Sequence, residues 1–470
     1  MTKKTRNIIF LLLVLFFLVM APIIVIYSLG WRFDWETKKL IQPGMFYFKA
    51  WPRNCQIYIN NELKKKTDIF FGSVLIENLM PANYEVRVIK EGYHPWEKNL
   101  AITKREVTEA KNITLIPQNP GPTLVSNNIE KFFFSPNKEL ILVKEANPAA
   151  GKEQEWSLKI IETKQNIKSH LISQEDLKIG ALDLLGKLEE IELVDLTFSE
   201  DSKKVILTLG AKERLYYFIL DINTANIIPI DFLKINPEKL FFHTQDQNKI
   251  LILSDSELRE VDIAQKQTTE PLIKGIVYLY IDKRDIYYLT KEGFIFKTSN
   301  LGQNQERINI MPLEIKQESK YELQTLNNNI FLKEDSSLYL FLYDNMSFEK
   351  LIDPSTAVKV SGDSKKIAYF NNHEIWVMFL EKKYEQPQKE PKDKVFINRF
   401  SENIKDLFWY TDHYLIFSLE DKIKVAEIDE RDKINIVDLA EFKEPQIFFA
   451  NKKLYLLSEN NLYASPELTP

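Results

Sequence analysis

The sequence predicts a mainly β protein: an N-terminal transmembrane helix, a small β-sandwich, and then a β-propeller of eight blades, with seven as the alternative count. Three observations carry this. One strand–turn–strand phrase recurs eight times between residues 132 and 466. Strands of alternating polarity fill residues 45–116, and residues 8–29 contain no charge at all. A short-strand repeat of roughly 40–45 residues is the mark of a propeller.

Residues 8–29 read IIFLLLVLFFLVMAPIIVIYSL. As a helix they extend about 33 Å, enough for a bilayer core of about 30 Å. The run is longer than the apolar core of a cleaved signal peptide and ends Ile26-Tyr27-Ser28-Leu29-Gly30, without an A-x-A pattern, so an uncleaved anchor is expected. Lys3, Lys4 and Arg6 place residues 1–7 in the cytoplasm, and the rest of the chain outside it. Trp31, Phe33 and Trp35, in the juxtamembrane segment 30–44, suit the outer interface. The lipid bilayer is therefore the first expected partner.

Composition narrows the classes further. The net charge is −5, and without the three N-terminal bases the body carries 59 bases against 67 acids. That balance argues against a nucleic-acid partner, which calls for a basic footprint. Cys55, the single cysteine, excludes an intrachain disulfide and a cysteine metal cluster, and is expected to be a small semi-buried residue at a strand start. Only 13 of 470 residues are glycine, so Asn is expected at many turn positions of positive φ.

The sandwich, residues 45–117, has about six expected strands. In Tyr84-Glu85-Val86-Arg87-Val88-Ile89 the apolar side chains alternate with charged ones, as in a sheet with one wet face. Three phrases here resemble the PEGA domain: Pro52-Arg53-Asn54-Cys55-Gln56-Ile57-Tyr58-Ile59-Asn60-Asn61, Leu79-Met80-Pro81-Ala82-Asn83-Tyr84, and Lys90-Glu91-Gly92-Tyr93-His94-Pro95-Trp96. Asn54, Asn61 and Ala82 stand where that family has glycine. The resemblance implies an envelope-associated accessory module of bacteria and brings no catalytic residue.

Residues 118–122, with Pro120 and Pro122 about Gly121, form a linker, since they continue neither a ladder nor a helix. The propeller, 123–470, follows. First strands are expected near Phe132, Leu196, Phe241, Val277, Leu323, Val358, Leu407 and Ile447, a mean spacing of about 45 residues. The turns Phe198-Ser199-Glu200-Asp201-Ser202-Lys203-Lys204 and Ser361-Gly362-Asp363-Ser364-Lys365-Lys366 resemble those of TolB-type propeller repeats. Ser and Asp serve there as turn residues that bond backbone N–H groups, not as catalysts. The short last repeat is expected to borrow its fourth strand from Thr123-Leu124-Val125-Ser126. Two insertions are expected, near 147–190 and 381–394. The first contains a capped helix starting at Ser173, with Leu177, Leu182, Leu185 and Leu188 on one face. The second is an exposed loop.

No catalytic, cofactor or metal site emerges. His94, His170, His243, His373 and His413 show no metal-ligand spacing, and neither a nucleophile elbow nor a phosphate-binding glycine loop is present. Trp376, Trp409 and Tyr410 are expected to fill space between blades. The resulting expectation is a non-enzymatic, extracytoplasmic binding or scaffolding protein of the bacterial envelope, with an envelope protein or cell-surface glycan as partner. The alternatives are a propeller glycosidase or polysaccharide lyase, and a TolB-like component of an envelope complex.

Overall fold

The computed structural model describes residues 3–34, 38–146, 155–186, 188, 190–233, 235, 237–246, 248–299, 303–326 and 329–469. Trp35 and positions 147–154 of the first insertion lie outside the described residues.

Helix α1 (Lys3–Ser28) is built from long aliphatic and aromatic side chains and runs through Pro22. It stops at Gly30, whose φ of 80° closes the last turn with Gly30 N–H donating to the Tyr27 carbonyl and Trp31 N–H to that of Ile26. Arg32 then lies over the Tyr27 ring at 3.7 Å. No residue of α1 is buried by protein. At 26 residues it is long and apolar enough to cross a membrane.

After the ribbon of β1 (Arg32–Asp34) and β2 (Lys39–Ile41), seven strands form the sandwich: β3 (Gly44–Trp51), β4 (Gln56–Ile59), β5 (Glu62–Lys66), β6 (Ser73–Leu79), β7 (Asn83–Ile89), β8 (Trp96–Ala101) and β9 (Val107–Thr114). One sheet has the order β6-β3-β9 and the other β5-β4-β7-β8. The core between them holds Phe46, Phe48, Ile57, Val86, Val88, Trp96 and Ile113. Cys55 is fully buried beside it, just before β4, and burial pushes its thiol up to about 11. Strand β5 was not expected, because Glu62-Leu63-Lys64-Lys65-Lys66 carries no apolar alternation and is exposed throughout. Asn54 and Asn61 take positive φ (59° and 64°), which lets them replace glycine; Ala82 is not among the positive-φ residues, so it needs no such tolerance. Asn is one of several residues in that conformation: Ser202, Ser364 and Lys138 occupy it in the propeller turns.

Eight propeller sheets follow among the described residues, seven of four strands and that of blade 3 of five, where Ile273–Lys274 adds a second partner to Glu257–Asp262. Blades 1 to 7 cover 129–173, 192–229, 239–274, 276–307, 321–352, 357–399 and 404–441. Blade 8 takes three strands from 446–464, and its outer strand is β10 (Thr123–Ser126), antiparallel to Asn461–Ala464 with Thr123 opposite Ala464. Each first strand expected from the repeat lies within the first strand of a blade. In the turns, the Ser199 hydroxyl donates to Asp201 Oδ1 (2.7 Å) and accepts from Lys204 N–H (2.9 Å). Ser361 and Asp363 repeat this, and Ser135 with Asn137 gives a third copy.

The first insertion is smaller than expected. Trp156–Glu162 and Ile167–Ser173 are not inserted at all; they are the third and fourth strands of blade 1. Their mixed polarity hid them, because the outermost strand faces water through Lys168, Ser169 and His170. The capped helix exists, with Ser173 Oγ accepting from Asp176 N–H and Asp176 returning the bond to Ser173 N–H. It breaks into α2 (Gln174–Gly180) and α3 (Leu182–Leu185). Leu177, Leu185 and Leu188 pack into the core between blades 1 and 2.

Candidate functional site at the sandwich–propeller junction

The sandwich presents its β8 and β9 edge to blades 6 and 7. Strand β8 reads Trp96-Glu97-Lys98-Asn99-Leu100-Ala101, and Lys98 shares the buried phase of Trp96 and Leu100. A lysine in that phase needs an anion or it costs several kcal/mol. Glu427 provides one. It ends the blade 7 strand Lys422–Glu427, in phase with buried Ile423 and Val425. Lys98 Nζ lies 2.7 Å from Glu427 Oε1, and both side chains are almost fully excluded from solvent. The same ammonium donates to the carbonyls of Asp429, Arg431 and Lys433 at 2.7 to 2.8 Å.

The remaining acceptor capacity of Glu427 is also used. Trp96 Nε1–H donates to Oε2 at 2.7 Å, and the backbone and side-chain amides of Asn435 donate to Oε1 at 2.9 and 2.7 Å. Burial pushes the Glu427 carboxyl above the usual carboxylate range, and the Lys98 ammonium pulls it back toward the charged form. The pair is therefore sealed and fully bonded, the one condition under which a buried ion pair is well tolerated.

Further bonds frame this pair. Asp432 Oδ2 accepts from Asn99 N–H (2.8 Å), and Arg431 Nη1 donates to the Glu109 carbonyl of β9 (2.8 Å). Thr114 N–H donates to the buried Tyr414 hydroxyl (3.0 Å). The second insertion is exposed, as expected, yet it is also a docking arm. Gln386 accepts from Glu109 N–H (2.9 Å) and donates to the Val107 carbonyl (3.1 Å), copying a ladder step along the free edge of β9. Lys389 reaches Glu430 on the neighbouring loop. The polarity of the arm predicts exposure but carries no sign of what it touches.

Two spaces border the junction. A cavity of about 30 Å³ touches Trp96, Lys383, His413, Glu427 and Arg431. A cleft of about 450 Å³ opens between Trp51, Phe70, Phe71 and Lys111 of the sandwich and Asp412 and His413 of blade 7. His413 is held neutral: burial first, then the charges of Lys366 and Lys383, lower its pKa to about 4, against the opposing pull of Asp363 and Asp429.

His170 and His243 do not converge on it, whereas His94 borders a separate small space at the junction beside Tyr414. Nε2 of His170 lies 3.6 Å from Asp176 and that of His243 lies 3.1 Å from Glu260, both in other blades. No group of three or more His, Cys, Asp or Glu side chains among the described residues is placed to hold a metal ion. Tyr410 is buried with its hydroxyl donating to the Leu468 carbonyl, Trp409 donates to that of Lys359, and Trp376 packs on Phe396. These rings fill the blades.

The chain thus belongs to a recognisable class by construction: a small β-sandwich clamped on an eight-sheet propeller, preceded by a helix able to span a bilayer. Residues 49–118 match the family model of the PEGA domain. A comparison with curated protein sequences found no match. Among solved structures, the chain is similar to the WD40 domain of SCAP from fission yeast (12% identity, 74% of this chain and 94% of that one, TM-score 0.44). It is also similar to Hsv2p of Kluyveromyces lactis (12% identity, 68% of this chain and 100% of that one, TM-score 0.41). The propeller assignment stands on the strand pairing described above.

Proposed function

We propose that this protein is a membrane-tethered, extracytoplasmic scaffold of the bacterial envelope, without catalytic activity. In this reading α1 is an uncleaved anchor with its N-terminus in the cytoplasm, and the propeller is a platform for an envelope protein or a surface glycan. One observation carries the reading: the sandwich is locked to blades 6 and 7 by a buried, fully bonded ion pair and a docking arm. A spacer fused this firmly to a propeller transmits orientation, so it holds the propeller in a set attitude to whatever holds the sandwich. Apolar α1, unburied by protein, supports the bilayer as the fixed reference.

The test is crosslinking in native envelope followed by isolation of the full chain, compared with a Glu427→Ala variant. Capture of a specific envelope protein or glycan, reduced in the variant at equal protein level, supports the scaffold. Turnover of a polysaccharide by the purified protein, unchanged in the variant, contradicts it. External protease on spheroplasts should digest the propeller; protection would contradict the topology.

A further inference from the structure

The sandwich carries an unusual turn on the rim of the cleft that faces blade 7. Between β5 and β6, Ile69, Phe70 and Phe71 stand 62%, 70% and 77% exposed in succession. The turn is not loose. Asp68 gathers it, its carboxylate accepting from the N–H groups of Phe70, Phe71 and Ser73 and from the Ser73 hydroxyl. Gly72 then passes so close to the Ala50 carbonyl that a Cβ would sit 2.5 Å from it. Fixing three large apolar side chains outward, on a turn whose acid is consumed by its own backbone, costs free energy that only a partner returns.

We propose that this tip inserts into the interface of an anionic lipid bilayer, the same bilayer that α1 spans, and so lays the sandwich on the membrane. The proposal rests on the reading of α1 as an anchor. Three observations favour a bilayer. Lys64, Lys65 and Lys66 lead directly into the tip along exposed β5, matching anionic headgroups beside an apolar wedge. Glu62 pairs with Lys64 at 2.6 Å, so Lys65 and Lys66 carry the basic character next to the tip, and Glu77 lies toward the end of β6 away from it. Residues 29–43 tether the sandwich, and with Arg32 paired to Ile41 their reach is roughly 30 Å, so the tip stays near the surface. Lysines alone would be explained as guards of an edge strand against pairing. They do not explain Ile69, Phe70 and Phe71.

The experiment uses the full chain in vesicles of phosphatidylcholine with phosphatidylglycerol. An environment-sensitive dye is placed on Phe71→Cys, and in a second sample on Glu270→Cys of blade 3; buried Cys55 is inaccessible to it. Vesicle flotation is measured on the same samples. The expected result is several-fold stronger quenching by bromine-labelled acyl chains at position 71 than at 270, weakened by Lys64→Glu/Lys65→Glu/Lys66→Glu. A chain that floats while the dye at 71 stays water-exposed overturns the tip proposal and leaves the anchor standing. A chain that does not float overturns both. Shielding at 71 only in native envelope, with crosslinks to a protein, overturns the bilayer in favour of a protein partner.

Discussion

Lys98 and Glu427 sit where each strand's alternation calls for an apolar residue, and the energetic consequence is asymmetric. Removing one partner strands the other charge in a sealed site, at about 3–5 kcal/mol. Replacing both with apolar residues removes the buried charges together. Glu427→Leu and Lys98→Met should therefore each lower the urea midpoint more than the double variant does, a coupling that a double-mutant cycle reads directly. Equal and additive losses would contradict the account. His413 makes the second residue-scale prediction. Its folded pKa of about 4 lies below the usual value near 6.5, so the unfolded chain takes up the proton first. Stability is full above pH 6.5 and falls as pH drops from 6.5 toward 4, by up to about 3 kcal/mol from this group. His413→Gln should flatten that part of the pH profile of thermal unfolding; an unchanged slope would exclude the histidine as its cause.

Among elements, the contrast between the blades and the junction shows what periodicity carries. The repeat located all eight first strands because their apolar phase and Ser–Asp turns are local properties of the chain. Strand β10 was legible as a clasp because Thr123-Leu124-Val125-Ser126 is an orphan strand before the first full repeat, and the last repeat was one strand short. Three things were hidden for physical reasons. β5 is a lysine-rich edge strand, stabilised by its ladder to β4 and not by burial. The outer strands of blade 1 are half solvated and read as insertion. Gln386 acts through two backbone groups of a strand far away in sequence, which no local pattern encodes. The one signal for the junction was the odd phase of Lys98 in β8 and of Glu427 in blade 7, an inward charge on each of two separate strands. Shortening 382–392 to a tight turn should leave blade 6 folded but speed protease cleavage at the 118–122 linker, since the sandwich loses its hold along β9. In blade 8, Val125→Asp should loosen the closure by about 1–3 kcal/mol, because Val125 packs on the core shared with blade 1. A melt that stays unchanged would show that β10 does not close the ring.

At the scale of the whole molecule, a spanning helix, a spacer and a propeller could equally be three bodies on flexible joints. The junction makes the last two one body. Its bonds cross sequence separations of more than 270 residues, from Trp96, Lys98, Glu109 and Thr114 to Gln386, Tyr414, Glu427 and Arg431. Orientation of the propeller then follows from how the sandwich is held. The most direct measurement is the distance distribution between spin labels on Glu77→Cys of β6 and Glu270→Cys of blade 3 in the full chain. A single narrow distribution that broadens in Glu427→Ala is the predicted result; a broad distribution in the otherwise unaltered chain would contradict the rigid junction.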